Sequence, residues 1–461
     1  MTKKYRTEQD LLGTKKVPDC SYYGVQTIRA KENFNITGHT INSEIISAVA
    51  IIKKAAAIAN METGHLGYTI GNAIKKVTNE IINGKWHDEF IVDPIQGGAG
   101  TSINMNANEV IANRALELIG RKKGEYNIIH PNNHVNMSQS TNDVMPTAIR
   151  IAIIQLLVKL EEEMTKLKKT FDAKGQEFNH IIKAGRTHLQ DAVPIRLGQE
   201  FTAYGQVLSR DIKRINRLYN NLLKINLGAT AIGTKLNAEP MYISKVVKNL
   251  QKETLFPFAS ASNLIDATQN TDGYTEVSSM VKICMTNMSK IANDLRLMGS
   301  GPNTGFAEIK IPEKQPGSSI MPGKVNPVIC EVVNQVAFQV LGNDHTITMA
   351  SEAGQLEINV MEPIIYHNLH QSLHITVQAL KVFNNSCVKE IKANFEQCET
   401  YVEESVGIIT ALNPHVGYKA ASDIAKESLK TKTPIREIVL RDKILPADKV
   451  DEILNTYKMT I

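Results

Sequence analysis

The sequence predicts a mostly α-helical protein of three domains, with a bundle of long helices at its centre. Three segments indicate this fold, because their apolar residues recur every three or four positions over roughly thirty residues. The clearest runs from about Asp272 to Gly299 without a proline, and the others begin near Asn142 and Ile195. Helices of that length, about 45 Å, need long partners, so a bundle is the economical arrangement. The apolar seam of the clearest segment is Tyr274, Val277, Val281, Cys284, Met288, Ile291, Leu295 and Met298.

The predicted domains follow one another along the chain. Residues 1–140 form an N-terminal domain, in which turn-rich stretches surround shorter helices. Residues 141–396 form the central long-helix bundle. Residues 397–461 form a small C-terminal helical domain, in which Pro414 and Pro446 interrupt short helices. A chain of 461 residues is too long for one compact core, which agrees with this division.

Composition excludes several classes of function. The net charge of +5 is spread over short mixed runs, and no basic patch interleaved with aromatic residues indicates nucleic-acid binding. No apolar run approaches the ~20 residues of a membrane span, and the first residues lack the apolar core of a signal peptide. The five cysteines are scattered and form no Cys-x-x-Cys pair, which is typical of free thiols in a reducing compartment. We therefore expect a cytoplasmic protein that binds neither nucleic acid nor membrane.

A loop of small residues carries the strongest indication of function. Its sequence is Gly317-Ser318-Ser319-Ile320-Met321-Pro322-Gly323-Lys324-Val325-Asn326-Pro327-Val328. Hydroxyls between glycines suit a mobile segment that brings a base, Ser318 or Ser319, to a substrate. Lys324 and Asn326 add a positive charge and an amide that can neutralise a carboxylate. The competing interpretation is a plain surface loop with a solvated lysine.

Two further segments place small polar residues directly before helices. In Gly97–Asn106, glycines precede Thr101, so backbone amides can point at an anion, and a small carboxylate or ammonium fits better than a phosphate because no Gly-Lys-Ser/Thr follows. In His134–Asp143, the mouth of a long helix carries Ser140, Thr141 and Asn142. One of these three can cap the helix, which leaves donors for a ligand carboxylate. Capping alone is the competing interpretation of both segments.

One histidine lies in a setting typical of a site. His188 follows Thr187 within Gly185–Asp191, between hydroxyl and amide residues, where an imidazole can bind a carboxylate or transfer a proton. Glu331 is a candidate to orient this imidazole if the fold brings the two side chains together. A different set of histidines shares one predicted helical face: His367, His370 and His374. We expect no metal site there, because helix-face histidines without a nearby carboxylate are usually structural or solvated.

Taken together, these segments resemble the fumarase/aspartase superfamily of lyases. The resemblance extends from about residue 5 to the C-terminus, and the site-forming segments occur in the order that the superfamily shows. Its N-terminal part lies in Asp10–Gly13 and Tyr22–Thr27, and its C-terminal part in Asn413–Gly417.

The resemblance implies a homotetramer with a shared core of long helices and active sites built from three subunits. It implies no organic cofactor and no metal. In the ammonia-eliminating branch, the reaction is the reversible anti elimination of ammonia from L-aspartate to give fumarate. By the family pattern, Ser318 is the base, Lys324 stabilises the enediolate intermediate and His188 is a third catalytic residue. The residues that bind the substrate would be Thr101, Ser140, Thr141, Asn142, Thr187, Ser319 and Asn326.

The main alternative is the hydratase branch, the fumarases, which interconvert L-malate and fumarate. That branch shares the serine loop and a Thr-His pair, and Cys330 favours it slightly. Residues Gly98–Ser102 and Ser140–Asn142 resemble the ammonia-eliminating branch instead, as do Val328 and the N-terminal residues Leu11–Gly13. We therefore favour L-aspartate over L-malate as the substrate.

The chain departs from the family pattern at two positions. Asn303 stands where the family usually has arginine, and Lys235 stands where glycine is expected. Either change can alter loop packing or a subunit contact. A helical scaffold without catalysis is therefore a further alternative, although nothing structural requires the combination of the serine loop with His188.

Overall fold

A computed structural model describes residues 4–460 of the chain. The fold is mostly α-helical, as the sequence predicts. Contacts divide the chain into two compact units. The first unit comprises Met1–Leu160, Arg214–Lys282 and Gln339–Ile375, and the second comprises Glu161–Lys213, Ile283–Phe338 and Thr376–Ile461. The three-domain division with boundaries after residues 140 and 396 stays a prediction.

The described residues form sixteen α-helices. They are α1 (Val25–Asn33), α2 (Ser43–Glu62), α3 (Tyr68–Ile82), α4 (Thr101–Leu118), α5 (Thr141–Glu177), α6 (Leu197–Leu222), α7 (Pro240–Thr254), α8 (Asp266–Gln269), α9 (Asp272–Met298), α10 (Val328–Glu352), α11 (Glu362–Ser386), α12 (Phe395–Glu404), α13 (Asn413–Val416), α14 (Tyr418–Thr431), α15 (Ile435–Arg441) and α16 (Ala447–Ile453). Within the described residues, no helix is long and apolar enough to span a membrane.

The strands are short and pair two by two. They are β1 (Tyr5–Asp10), β2 (Gly13–Pro18), β3 (Ile182–Thr187), β4 (Gln190–Arg196), β5 (Lys224–Ile225), β6 (Ala259–Ser260), β7 (Ile309–Lys310) and β8 (Lys392–Ala393). The pairs β1–β2, β3–β4 and β7–β8 are antiparallel, and the pair β5–β6 is parallel. The strand pairs are therefore local features between helices rather than a core sheet.

The long helices form where the apolar periodicity predicts them. All eight seam residues of α9 are buried. The apolar residues that recur every three or four positions along α5 are buried as well, namely Ile149, Ile153, Leu156, Leu160, Met164 and Leu167. Helix α5 reaches Glu177 and is the longest, with 37 residues. Helix α6 begins at Leu197 rather than at Ile195, because Ile195 belongs to strand β4 and pairs with Lys183. Burial of a continuous apolar stripe stabilises such helices far more than helix propensity does.

In the first unit, a buried carboxylate on α4 fixes the start of α1. Glu109 accepts the backbone N–H groups of Gly24, Gln26 and Thr27, and also the Thr27 hydroxyl at 2.6 Å. These are the N–H groups that a helix start leaves without partners, and Gly24 offers no side chain to cap them. Burial raises the pKa of Glu109 to about 7 in spite of these donors. The N-terminal segment is thereby joined to α4, which carries Thr101 at its own start.

In the second unit, aromatic side chains pack where α5, α6 and α11 meet. Phe171 is buried, with its ring centroid 6.2 Å from that of Phe201, 5.6 Å from Tyr204 and 6.3 Å from Phe383. Tilted and edge-to-face contacts at such distances add to the free energy of burial. Phe171 therefore joins three long helices at one point.

The C-terminal helices enclose a small apolar cluster. Its buried members are Ile408, Leu412, Ile424, Ile435, Ile438, Val439 and Val450. Pro414 lies in the first turn of α13, and Pro446 directly precedes α16. The prolines that interrupt the pattern thus mark where new helices begin, since a helix start requires no N–H from them.

Truncating Phe171 tests this packing. We expect Phe171→Ala to lower the free energy of unfolding by about 3–5 kcal/mol, because a large buried ring is replaced by a cavity. Phe395→Ala, which removes a ring that is 49% exposed, is the matched control and should cost far less. Urea unfolding followed by circular dichroism measures both. Equal losses in the two variants would contradict the packing described here.

Candidate active site

Thr101 is the first residue of α4, and a left-handed turn leads into it. Gly98, Ala99 and Gly100 have φ angles of +89°, +55° and +87°. A Cβ on Gly100 would lie 2.9 Å from Cγ of Met145, so this position admits no side chain without a shift. The backbone N–H and the hydroxyl of Thr101 both donate to the Gly98 carbonyl, at 2.9 and 2.7 Å. The Thr101 side chain is exposed at the helix start, where an anion is favoured.

The predicted Ser-Thr-Asn segment begins α5 and is held by a buried carboxylate. Asp143 accepts the N–H of Ser140 at 3.0 Å and, with its other oxygen, the N–H groups of Gly228 and Thr230 at 3.1 and 3.0 Å. Burial raises the pKa of Asp143 to about 7, and the hydrogen bonds from these N–H groups oppose that rise. Sequence reasoning quoted Asp143 but gave it no role. The available signal was its place in the first turn of a helix, three residues after Ser140, where an acidic residue often binds backbone amides.

All three predicted residues of this segment have polar partners. Asn142 donates its side-chain amide to the Ala231 carbonyl at 2.7 Å, while its own N–H donates to the Ser140 hydroxyl at 3.2 Å. The Thr141 hydroxyl accepts from the Asn104 amide at 3.0 Å. Among the described residues, none donates to the side-chain oxygen of Asn142. That oxygen is thus an acceptor suited to an ammonium group.

The backbone conformation of Lys235 explains why the family pattern has glycine at this position. Lys235 has φ +64°, a left-handed conformation that glycine adopts without steric cost and that other residues rarely adopt. Its N–H donates to the Ala229 carbonyl at 3.0 Å, which closes the same segment that Asp143 and Asn142 contact. The expectation of glycine at this position therefore follows from backbone geometry. Nothing in the structure explains Asn303.

In the second unit, Thr187 and His188 lie at the tip of the β3–β4 hairpin. Thr187 pairs with Gln190, so His188 and Leu189 form a two-residue turn, with φ angles of +55° and +60°. Turns in which both central residues are left-handed match the twist of paired strands. The hairpin was not predicted from the sequence, because neither turn residue is glycine or asparagine. Both Thr187 and His188 are exposed, and among the described residues no side chain or backbone group bonds to their side chains.

The base of this hairpin is joined to the rest of the unit by a buried charge cluster. Glu308 is fully buried and forms ion pairs with Lys183 at 2.8 Å and Arg186 at 2.5 Å. The Arg186 guanidinium also lies 4.2 Å from the centre of the Phe306 ring. Burial lowers the pKa of Lys183, but the charges of Glu200 and Glu308 outweigh it, so the pKa is raised and the ammonium stays charged. The hairpin that presents His188 is therefore fixed at its root and exposed at its tip.

The serine loop is closed on itself by its own backbone. The Gly317 N–H donates to the Lys324 carbonyl at 2.7 Å, and the Asn326 amide donates to the Gly317 carbonyl at 2.9 Å. A Cβ on Gly317 would lie 2.7 Å from the Lys324 carbonyl oxygen, so glycine is required for this closure. The Ser318 hydroxyl oxygen accepts two backbone N–H groups, those of Ile320 at 3.2 Å and Met321 at 3.0 Å.

The remaining predicted residues of the second unit are more open. Ser319 and Lys324 are exposed, and within the described part of the chain their side chains have no hydrogen-bond partner. Glu331 follows the loop in the first turn of α10 and lies 4.0 Å from Arg296. Among residues 4–460, the structure pairs Glu331 with Arg296 and not with His188. Its predicted role in orienting the imidazole stays a prediction.

The predicted residues are thus divided between the two units. The first unit holds Thr101, Ser140, Thr141 and Asn142 near the starts of α4 and α5. The second unit holds Thr187, His188, Ser318, Ser319, Lys324, Asn326 and Glu331 on the hairpin, the serine loop and α10. Each group combines exposed hydroxyl or cationic side chains with a rigid backbone support.

The histidines of α11 have their own contacts. His370 lies 3.2 Å from Glu44, which holds the pKa of that carboxyl down at about 2, and its ring stacks on that of His374 at 5.9 Å. Among the described residues, no group of three or more histidine, cysteine, aspartate or glutamate side chains is arranged to hold a metal ion.

Two family models match the chain. The family described as "Lyase" matches residues 13–342, and the family described as "Fumarase C C-terminus" matches residues 408–461. The aspartate ammonia-lyase of Bacillus subtilis (strain 168) is 59% identical over 458 residues, which covers 99% of this chain and 96% of that protein. The aspartate ammonia-lyase of Escherichia coli (strain K12) is 48% identical over 462 residues, covering 100% of this chain and 97% of that protein.

Solved structures share the fold over nearly the whole chain. The crystal structure of fumarate lyase:delta crystallin from Brucella melitensis bound to cobalt is 45% identical and matches with a TM-score of 0.97, covering 99% of this chain and 100% of that one. The crystal structure of recombinant class II fumarase from Schistosoma mansoni is 34% identical, with a TM-score of 0.96 and coverage of 99% of both chains.

Replacing Lys235 tests the backbone explanation given above. We expect Lys235→Gly to raise the free energy of unfolding by about 1 kcal/mol, because glycine removes the steric cost of the left-handed conformation. Asn237→Gly is the matched control, since Asn237 has the same φ of +64° but asparagine tolerates it better, and its gain should be smaller. Thermal and urea unfolding report the change. A loss of stability in Lys235→Gly would refute this explanation.

Proposed function

The chain belongs to the lyase family that includes the aspartate ammonia-lyases, and we infer that it catalyses the reversible elimination of ammonia from L-aspartate to give fumarate. The resemblance to the fumarase/aspartase superfamily seen in the sequence is confirmed by relatives that are 48–60% identical over the full chain. The enzyme is therefore a carbon–nitrogen lyase whose small-molecule substrates are L-aspartate, fumarate and ammonia.

Ser318 acts as the base in the proposed mechanism. Its hydroxyl oxygen must carry negative charge to remove a proton from carbon, and an isolated serine alkoxide is too unstable near neutral pH. The two backbone N–H groups of Ile320 and Met321 point at this oxygen, and hydrogen bonds to a charged form stabilise it. This contact is the single observation that most supports Ser318 as the base.

The proton is removed from the carbon beside the distal carboxylate, and its electron pair moves into that carboxylate. The product of this step is an enediolate with two negative charges, which collapses to the double bond as the carbon–nitrogen bond breaks and ammonia leaves. Lys324 stabilises this charge, while Asn326 contributes its remaining amide hydrogen. The hydrogen bonds of Gly317 support the arrangement, because they keep Lys324 and Asn326 at the closing end of the loop that carries Ser318. Such preorganised donors typically contribute 10²–10³ in rate each.

The other predicted residues bind and orient the substrate. Thr101, Ser140 and Thr141 lie at helix starts, which favours carboxylates, and the free side-chain oxygen of Asn142 suits the amino group. Thr187 and His188 present unpaired polar atoms from the hairpin tip, and Ser319 presents another from the loop. In this scheme His188 binds a carboxylate or transfers the proton that leaves with ammonia, and Glu331 orients its imidazole.

The proposed active site requires more than one copy of the chain. Proton removal from carbon needs a site from which water is excluded, yet Thr101, Thr187, His188, Ser319 and Lys324 are all exposed in the single chain. We propose a homotetramer in which three subunits contribute to each site. Helix α10 supports this assembly, since Phe338, Leu341 and Met349 lie on one of its faces and are 66%, 41% and 55% exposed. The five free cysteines support a cytoplasmic location.

The hydratase reaction is the second candidate. The likeness to the Schistosoma mansoni class II fumarase favours it, because the fold and the serine loop do not by themselves distinguish ammonia from water.

An ultraviolet assay of fumarate separates the two functions. Purified protein should form fumarate from L-aspartate and not from L-malate. Ser318→Ala should lower kcat by about 10²–10⁴-fold, because the base is removed, without changing the assembly. Ser319→Ala is the neighbouring control and should raise KM more than it lowers kcat. Fumarate from L-malate alone would replace the proposed function with the hydratase, and turnover by Ser318→Ala at the wild-type rate would exclude Ser318 as the base.

The assembly is tested by its mass in solution. Light scattering should give four times the mass of one chain. Phe338→Glu should dissociate the tetramer and abolish activity, because a charge would be buried in an apolar interface. Tyr418→Glu, which changes an 81% exposed aromatic residue on α14, should leave both mass and activity intact. A monomer with full activity would contradict the shared site.

A further inference from the structure

A fully buried lysine lies under the segment that leads into α5. Lys53 on α2 is completely inaccessible to solvent and donates from its ammonium to the side-chain oxygens of Asn136 at 2.7 Å and Gln139 at 3.0 Å. A buried lysine is costly unless its hydrogens are bound, and burial lowers the pKa of this one to about 7. The reaction described above assigns Lys53 no part.

A series of hydrogen bonds leads from Lys53 to the Thr141 hydroxyl, and each bond in it has a defined donor and acceptor. The side-chain oxygen of Asn136 also accepts from the Asn104 amide at 3.2 Å, and the Asn104 amide donates its second hydrogen to the Thr141 hydroxyl at 3.0 Å. The orientation of the Asn136 amide is fixed, because its N–H donates to the Gln139 backbone carbonyl at 3.2 Å and because the charged form of Lys53, an ammonium, offers no acceptor to an N–H group. Lys53 therefore determines that the side-chain oxygen of Asn136 faces the Asn104 amide, and that the Asn104 N–H groups face Asn136 and Thr141.

The consequence reaches the Thr141 hydroxyl. A hydroxyl has one hydrogen to donate, and because the Thr141 oxygen accepts from Asn104, that hydrogen is left for another acceptor. Among the described residues, none accepts it. Thr141 is half-buried at the start of α5, where a carboxylate is the ligand that the helix favours.

We propose that Lys53, Asn136 and Asn104 are positioning residues that make the Thr141 hydroxyl a donor to a carboxylate of the substrate. This inference rests on the proposed function and deepens it, because it assigns the direction of one substrate hydrogen bond. None of the three residues touches the substrate. Their effect is on binding, so it appears in KM rather than in kcat.

Asn104→Asp is the sharpest test, because it changes the hydrogen-bonding character and keeps the shape. A carboxylate only accepts, so Thr141 would turn its hydrogen toward residue 104 and lose the bond to the substrate. We expect KM for L-aspartate to rise about 10- to 100-fold, as for the loss of a hydrogen bond to a charged group, with kcat within about threefold of wild type. Steady-state fumarate formation measures both constants.

A double-mutant comparison shows whether Asn104 acts through Thr141. Thr141→Val removes the hydroxyl and should itself raise KM. Adding Asn104→Asp to Thr141→Val should then change KM by less than about threefold, because the hydrogen bond it would remove is already gone. Equal increases in KM with and without the Thr141 hydroxyl would overturn the proposal.

Two further variants keep the test decisive. Asn108→Asp places a carboxylate at another buried position of α4 and should leave KM unchanged. Among the described residues, the Asn108 amide donates only to the Met105 sulfur. Lys53→Met removes the first hydrogen-bond donor of the series and should also raise KM for L-aspartate. It provides a second test if Asn104→Asp fails to fold. An unchanged KM in a folded, active Asn104→Asp or Lys53→Met enzyme overturns the inference alone. Absence of fumarate formation by the wild-type enzyme overturns the proposed function first, and the inference with it.

Discussion

The burial of continuous apolar stripes along the long helices is the constraint on which the rest of the structure depends. Helix α9 buries all eight of its seam residues, which requires neighbours along its length of about 40 Å. Once such helices are packed, the positions of their ends are fixed. Thr101 and Thr141 begin α4 and α5, and the serine loop leads directly into α10 at Val328. Helix packing therefore fixes these helix N-termini within each unit, and each N-terminus is favourable to negative charge.

Buried charged residues hold the irregular segments between these helices in place. Asp143 binds three backbone N–H groups from two segments, and Glu308 pairs with both cations at the root of the β3–β4 hairpin. Groups of this kind stabilise little in net terms, because their desolvation offsets much of the attraction, but they select one backbone arrangement over others. These buried groups hold the backbone beneath exposed residues such as those at the tip of the β3–β4 hairpin.

The sequence predicted those features that depend on residues close together in the chain. Apolar periodicity predicted α5, α6 and α9, and the glycines before Thr101 predicted a helix start. The β3–β4 hairpin was missed because His188 and Leu189 are unusual in a left-handed turn, and the structure stabilises it through Glu308, which is distant in sequence. Lys53 was missed for the same reason, since α2 around it is mostly apolar and its hydrogen-bond partners lie some eighty positions away. The roles of Asp143 and Glu308 likewise depend on contacts that spacing does not reveal.

The distribution of the cysteines has a practical consequence. Cys20 is exposed in the single chain, while Cys284, Cys330, Cys387 and Cys398 are buried. A thiol-directed dye or solid support would therefore attach to the folded chain at one defined position, near the end of the β1–β2 hairpin. Burial raises the pKa of Cys398 to about 12, which keeps that thiol protonated and unreactive toward such reagents. The wild-type chain is thus suited to oriented immobilisation without first removing its other cysteines.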